Sequence, residues 1–442
     1  MCKYKWVVSA LIITVSCNSP QNILQRKQKA FQKSSHQNVK VYESASGLGP
    51  CEPSIYINPE NPKQIVAGSV LDNVHYSHDG GITWHTNKLT SSLGVWGDPC
   101  IVADQDGVFY YLHLSDPEGT NWKSKNILDQ IVIQRSEDGG KTWSEGKGIG
   151  KNTPKQQDKE WAAVHPGTGA LAVTWTEFDR YRSTDPDDKT RIRFSYSKDK
   201  GETWTPAISI SELEGNTNDD DRTVEGAVPA IAANGDIYVA WSYDEKIYFD
   251  KSTDEGKTWL QHDIVAADQP GGWSLSIPGL GRSNGMPITC VDNSNSAHRG
   301  TIYINWTDQR NGSDNTDVFI TSSKDGGRTW SPAFKVNTDD TRTHQFLSWM
   351  SVDAKTGFVY IVYYDRSRQN DNATEVSLAV SYDGGKSFTS KIISNTPFTP
   401  VKDGVFFGDY NNIHAFNGLV RPVWTRYENG KLSIWTALIS DR

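Results

Sequence analysis

Six times along this chain the same string of eight residues returns: Ser77 to Trp84, Ser136 to Trp143, Ser197 to Trp204, Ser252 to Trp259, Ser323 to Trp330 and Ser381 to Phe388. Each copy has Asp at the third position, Gly at the fifth, Thr or Ser at the seventh and Trp or Phe at the eighth. The pattern reads as a hairpin turn. Asp caps it by accepting backbone N–H groups, and Gly supplies a positive φ. Thr and Trp then open the next strand, with the Trp ring expected to be buried in the sheet. These residues are read as structural, and none is taken as catalytic.

Two further repeats run beneath the first. Seven apolar strands open on a polar residue, at Glu52, Asp98, Glu160, Glu225, Asn284, Gln345 and Asp409. They recur every ~45 to 68 residues, which suits one four-stranded propeller blade with its loops. After each comes a period-two strand, often entered through Gly and ending at Trp175, Trp241, Trp306, Tyr363 or Trp424. The last unit stops without a hairpin string, so Val39 to Glu43 is expected to supply its missing outer strand and close the ring. The reading is an all-β, seven-bladed β-propeller with six hairpin strings.

Bulk properties narrow the class further. The 16 Trp and 18 Tyr against three Met fit an aromatic-rich all-β chain. A net charge of −8 with no basic run gives no reason to expect nucleic acid, and a mean hydropathy of −0.59 excludes a polytopic membrane protein. Residues 1–17 read as a signal: Lys3 and Lys5 precede an apolar run that ends at Ser16-Cys17, too short to span a bilayer. The Cys after a small residue resembles the lipobox of bacterial lipoproteins. That resemblance implies lipidation at Cys17, a polar tether over 18–37 and one domain over 38–442. It also implies export across the inner membrane and anchoring to the outer membrane or cell surface, with the lipid as the sole membrane contact. Cys51, Cys100 and Cys290 have no metal-ligand spacing; free thiols are favoured over a Cys51–Cys100 disulfide. A monomer is expected.

The hairpin strings resemble the Asp-box (BNR) repeats of sialidase-type propellers over roughly residues 50 to 390. That superfamily implies a ligand site at the channel mouth, where the strand openers meet the loops between second and third strands. Clustered carboxylates and arginines there suit an acidic glycan (sialic acid, uronate or sulfated sugar), since paired carboxylates serve glycoside hydrolysis and arginine forks hold anions. The expected catalytic residues are Glu225, Asp98, Asp409 and Tyr410. Arg222, Arg282, Arg342, Glu160 and Asp308 are expected to bind substrate. The chain also departs from sialidases: it has no Arg-Ile-Pro string, no arginine about sixteen residues after Glu225, and seven blades where they have six. The alternatives are a non-catalytic glycan- or protein-binding propeller and a polysaccharide lyase. No cofactor is expected; Ca²⁺ at Asp185–Asp188 or Asp219–Asp221 is weighed below plain solvated loops.

Overall fold

The computed structural model describes residues 20–45 and 48–441. The expected signal and Cys17 lie outside the described residues. In the stretch read as a tether, Pro20–Lys33 forms an α-helix of 14 residues, a unit separate from the domain that begins at Ser35. Among the described residues no helix is long and apolar enough to cross a membrane.

The domain is seven four-stranded antiparallel sheets, each one blade. Blades 1 to 6 run in chain order over residues 54–88, 100–149, 156–209, 225–268, 288–335 and 345–392. Blade 7 combines residues 412–440 with Gln37–Ser44, which pairs antiparallel with Lys431–Ser440 as its outer strand. That is the closure expected from the sequence. The core lies between blades: apolar clusters join blades 3 and 4 around Trp241, blades 4 and 5 around Trp306, and blades 7 and 1 around Ile55 and Val423. The second-strand tryptophans Trp175, Trp241, Trp306 and Trp424 are fully buried.

The hairpin strings work as expected, with one correction. In the first, Asp79 accepts from Ser77 Oγ (2.8 Å), the Thr83 N–H (2.9 Å) and Thr83 Oγ1 (2.6 Å), while Gly80 and Gly81 hold positive φ. The Trp rings are half-buried and not sunk in the sheet. Each turns its indole N–H back onto the carbonyl of its own turn, as Trp84 does to Gly81 at 2.9 Å. Several also wedge between blades: Trp259 meets Phe194 edge-on, and Trp330 meets Phe249 likewise. Gly256 and Gly327 lie against those two phenylalanine rings, so neither position has room for a side chain.

The feature that shapes the channel mouth is a kink where the inner strands begin. In blades 3, 4 and 6 the pairing register shifts between Asp158 and Trp161, Glu225 and Val228, and Phe346 and Trp349. Left-handed Lys159, Gly226 and Leu347 sit inside these bulges. Glu52 and Asp98 are left-handed too, two residues ahead of the first paired residues Ser54 and Cys100. A bulge re-aims the side chain it carries. The residue of blade 3 that corresponds to Glu52 and Asp98 is therefore Lys159, where the sequence reading placed Glu160.

Candidate functional site

A cavity of about 590 Å³ opens at the channel mouth. Glu52, Asp98, Asp158, Lys159 and Asp409 come to it from the starts of the inner strands of blades 1, 2, 3 and 7. Leu114 ends the second strand of blade 2, and Leu128 and Tyr181 come from the loops between second and third strands. Openers and loops share one face, as expected. Trp96, Trp122, Tyr181 and Phe406 make the aromatic part of the rim. Trp122 stacks on Tyr181 with centroids 5.5 Å apart, meets Trp96 edge-on, and remains 56% exposed.

A charge cluster holds one wall. Asp409 Oδ2 accepts from Lys159 Nζ at 2.7 Å and from Arg282 Nη2 at 2.5 Å. Arg282 Nη1 donates to Asp219 Oδ2 at 3.0 Å, and that carboxylate also accepts from Tyr181 Oη (2.7 Å) and Trp273 Nε1 (3.3 Å). Asp409 is held in place by its own backbone: its N–H donates to Glu52 Oε1 at 3.0 Å and its carbonyl accepts from Asn284 at 2.9 Å. Burial alone raises the pKa of Asp409, but Arg282 and Lys159 more than offset it and leave the carboxyl below its ordinary value. Burial works against the Lys159 charge, and Asp409, Asp98 and Asp158 outweigh it.

The other carboxylates are tuned the opposite way. Burial pushes Asp158 up to about 7, with Lys159 opposing and Asp98 and Asp219 adding to the rise. Glu52 is raised by burial and then by Asp98 and Asp409. Asp158 is thus a carboxylic acid that holds a proton near neutrality beside Asp98, whose Oδ2 has no hydrogen-bond partner among the described residues. A carboxyl that keeps its proton near neutrality, in a cavity that Asp98 also lines, can take part in acid–base chemistry on a bound ligand.

Trp161 packs against Trp349 (4.3 Å) and Tyr410 (5.5 Å), and Tyr410 turns its hydroxyl to the Pro99 carbonyl at 3.5 Å. Glu160 and Glu225 are buried, both with pKa raised first by burial. Neither they nor Tyr410 line the cavity.

The expected site residues are therefore divided. Asp98, Asp409 and Arg282 meet in the cavity, while Glu225, Glu160 and Tyr410 are buried and do not line it. Three expected binding residues stand elsewhere. Arg222 is exposed on its loop, and Arg342 pairs at the surface with Asp314 at 2.6 Å. Asp308 is fully buried, bound by Trp306 Nε1 (2.7 Å) and Arg310, and locks its loop. Sequence reasoning missed Lys159 and the aromatic rim. Asp219 spends its carboxylate on Tyr181, Trp273 and Arg282, and no group of three or more metal-ligating side chains gathers among the described residues. Cys51, Cys100 and Cys290 are free thiols.

The family model for the BNR/Asp-box repeat matches residues 75–86, which contain the first hairpin string. A sialidase from Bacteroides fragilis (strain YCH46) is 25% identical over 318 residues, covering 64% of this chain and 52% of its own; the chain spans about half the length of that relative. Among solved structures, a protein of unknown function from Dyadobacter fermentans DSM 18053 aligns over 92% of this chain and 98% of its own, at 15% identity and TM-score 0.51. A leech intramolecular trans-sialidase complexed with 2,7-anhydro-Neu5Ac aligns over 81% and 71%, at 12% identity and TM-score 0.50. At these identities the structural likeness speaks for the fold alone. The chain is a seven-bladed β-propeller that carries BNR/Asp-box strings.

Proposed function

We propose that the mouth pocket hydrolyses a glycosidic bond. The observation that carries this reading is the placement of Asp158, with its proton retained to about pH 7, and of Asp98 in one cavity walled by the Trp122–Tyr181 stack. An exposed aromatic face suits the apolar face of a sugar ring. Asp158 protonates the leaving oxygen, and Asp98 acts as the base or nucleophile of the pair. The sialidase relative agrees with glycosidase chemistry. The acidic-sugar expectation called for free arginines at the pocket. Arg282 is paired on both sides, and Arg222 and Arg342 stand outside it, so the proposal covers glycan hydrolysis and stops short of an acidic sugar. Export through residues 1–17 and lipidation at Cys17 complete the proposal and would bring this pocket to extracellular glycans.

The test is mass spectrometry of the protein incubated with neutral, sialylated, uronate and sulfated glycans. Products that gain one water support hydrolysis. Unsaturated products would mean a lyase, and glycans bound but uncut would mean a binding propeller.

A further inference from the structure

We propose that Asp409 occupies the pocket's own anion-binding position, so that the sugar ring seated there carries no carboxylate or sulfate. This inference names the substrate class and rests on the glycan reading above.

Lys159 and Arg282 are the two positive groups that converge on one point of the cavity wall, and a single carboxylate oxygen of Asp409 already sits between them, 2.7 and 2.5 Å away. Lys159 is 6% exposed and Asp409 1%, so solvent screens this contact little. The second fork of Arg282 is held by Asp219 at 3.0 Å. A substrate carboxylate arriving there must displace Asp409, which its backbone anchors to Glu52 and Asn284 hold in place. Displacing it would also leave a charged carboxylate in a buried site without a partner. The remaining balance offers an anion nothing further. With the Glu52 and Asp158 carboxyls held towards their protonated forms, Asp98, Asp409 and the Asp219 carboxylate behind Arg282 face Lys159, Arg182 and Arg282, so the cavity has no surplus of positive charge. Arg182 is 64% exposed and 3.7 Å from Asp219, so its charge is screened by water and shared with that carboxylate. An uncharged ring needs no such surplus, and its hydroxyls can donate to Asp98.

The substitution Asp409→Asn keeps the side chain's shape and removes its charge. It leaves Lys159 and Arg282 to receive an external anion. The probes are sodium glucuronate and sodium sulfate, read by thermal shift against sodium chloride at equal ionic strength. The expected result is a melting temperature that rises with either probe in D409N, with an apparent affinity at least tenfold tighter than in the wild type. Adding Lys159→Met to D409N should abolish the gain. A wild type that binds glucuronate as tightly as D409N overturns the inference, and so does a folded D409N that gains nothing. If D409N does not fold, the wild type decides alone: cleavage or binding of sialylated or uronate glycans in preference to neutral ones overturns the inference, and the reverse preference supports it. Hydrolysis failing on every glycan would sink the glycosidase reading, while the anion titration would still decide the role of Asp409.

Discussion

Replacing Lys159 by Met tests whether the charge cluster is the clamp that shapes the pocket. Lys159 and Asp409 are 6% and 1% exposed, so their contact at 2.7 Å is a buried ion pair. Breaking a buried pair by removing one partner costs about 3–5 kcal/mol when the survivor is left uncompensated. Here Arg282 stays 2.5 Å from Asp409 and retains part of the compensation, which brings the expectation to about 2–3 kcal/mol. Unfolding entropy of roughly 2 cal/mol/K per residue over Ser35–Arg442 sums to about 0.9 kcal/mol/K, so the melting temperature should fall by about 2–4 °C. The pH dependence has a definite sign. The Asp409 carboxyl lies below its ordinary value in the folded protein, so its stabilisation is present above the unfolded pKa and is lost as pH falls through the folded one. The gap between wild type and Lys159→Met should thus be full at pH 7 and shrink below about pH 4. Adding Asp409→Asn should recover part of the loss, because the unpaired charge goes with it. Urea unfolding of the four proteins of this cycle at pH 7, with the wild type and the single variant repeated at low pH, reads all of this. A Lys159→Met protein as stable as wild type at pH 7 would refute the reasoning.

Three further outcomes are expected. Trp122→Ala removes a ring that is 56% exposed and packed only on Tyr181 and Trp96, so melting should fall by no more than a degree or two and KM should rise about fivefold, the worth of about 1 kcal/mol of stacking, with kcat kept; an unchanged KM would remove Trp122 from the site. The acid role of Asp158 predicts a rate that falls above about pH 7. Because its folded pKa lies above the unfolded value, its contribution to stability is present at low pH and lost as pH rises through about 7, so both profiles decline together on the alkaline side; a flat rate from pH 6 to 9 would exclude Asp158 as the acid. Deleting residues through Ser44 strips the outer strand from blade 7, removes Asn38's bonds to Ile393 and Asn395, and bares the edge of Lys431–Ser440. The truncated protein should aggregate in size-exclusion chromatography with light scattering, and a stable monomer would contradict the closure.

The fold was legible because the hairpin strings are local. Thr83 donates to Asp79 and the Gly81 N–H donates to Ser77 Oγ, all within a few residues, and no distant contact can disguise the pattern. The blade closure was legible for a similar reason, since a strand-long gap after Ser440 had a strand-like partner at Val39. The site was only partly legible. Strand openers could be aligned by composition, but the bulge in blade 3 turns Lys159 and not Glu160 into the place of Glu52 and Asp98, and only the register reveals that offset. Arg222 and Arg342 sit just ahead of openers as Arg282 does, yet loop paths send only Arg282 into the cavity. The Asp308–Arg310 lock was foreseeable from its Asp-x-Arg spacing, which also occurs as a loop tie. Trp122 carried a usable signal: in the loop between Phe109–Leu114 and Ile131–Ser136 it is the one large apolar side chain in the stretch from Ser115 to Asn126.

Turnover by Asp158→Asn measures the central claim most directly. On the glycan that the wild type cleaves best, the account predicts a kcat lower by about 10²–10⁴-fold, the usual worth of a general acid. The melting temperature should be no lower than that of the wild type, because a buried carboxyl already protonated near neutrality loses little when it becomes an amide. Turnover equal to the wild type in a folded Asp158→Asn protein would contradict the account.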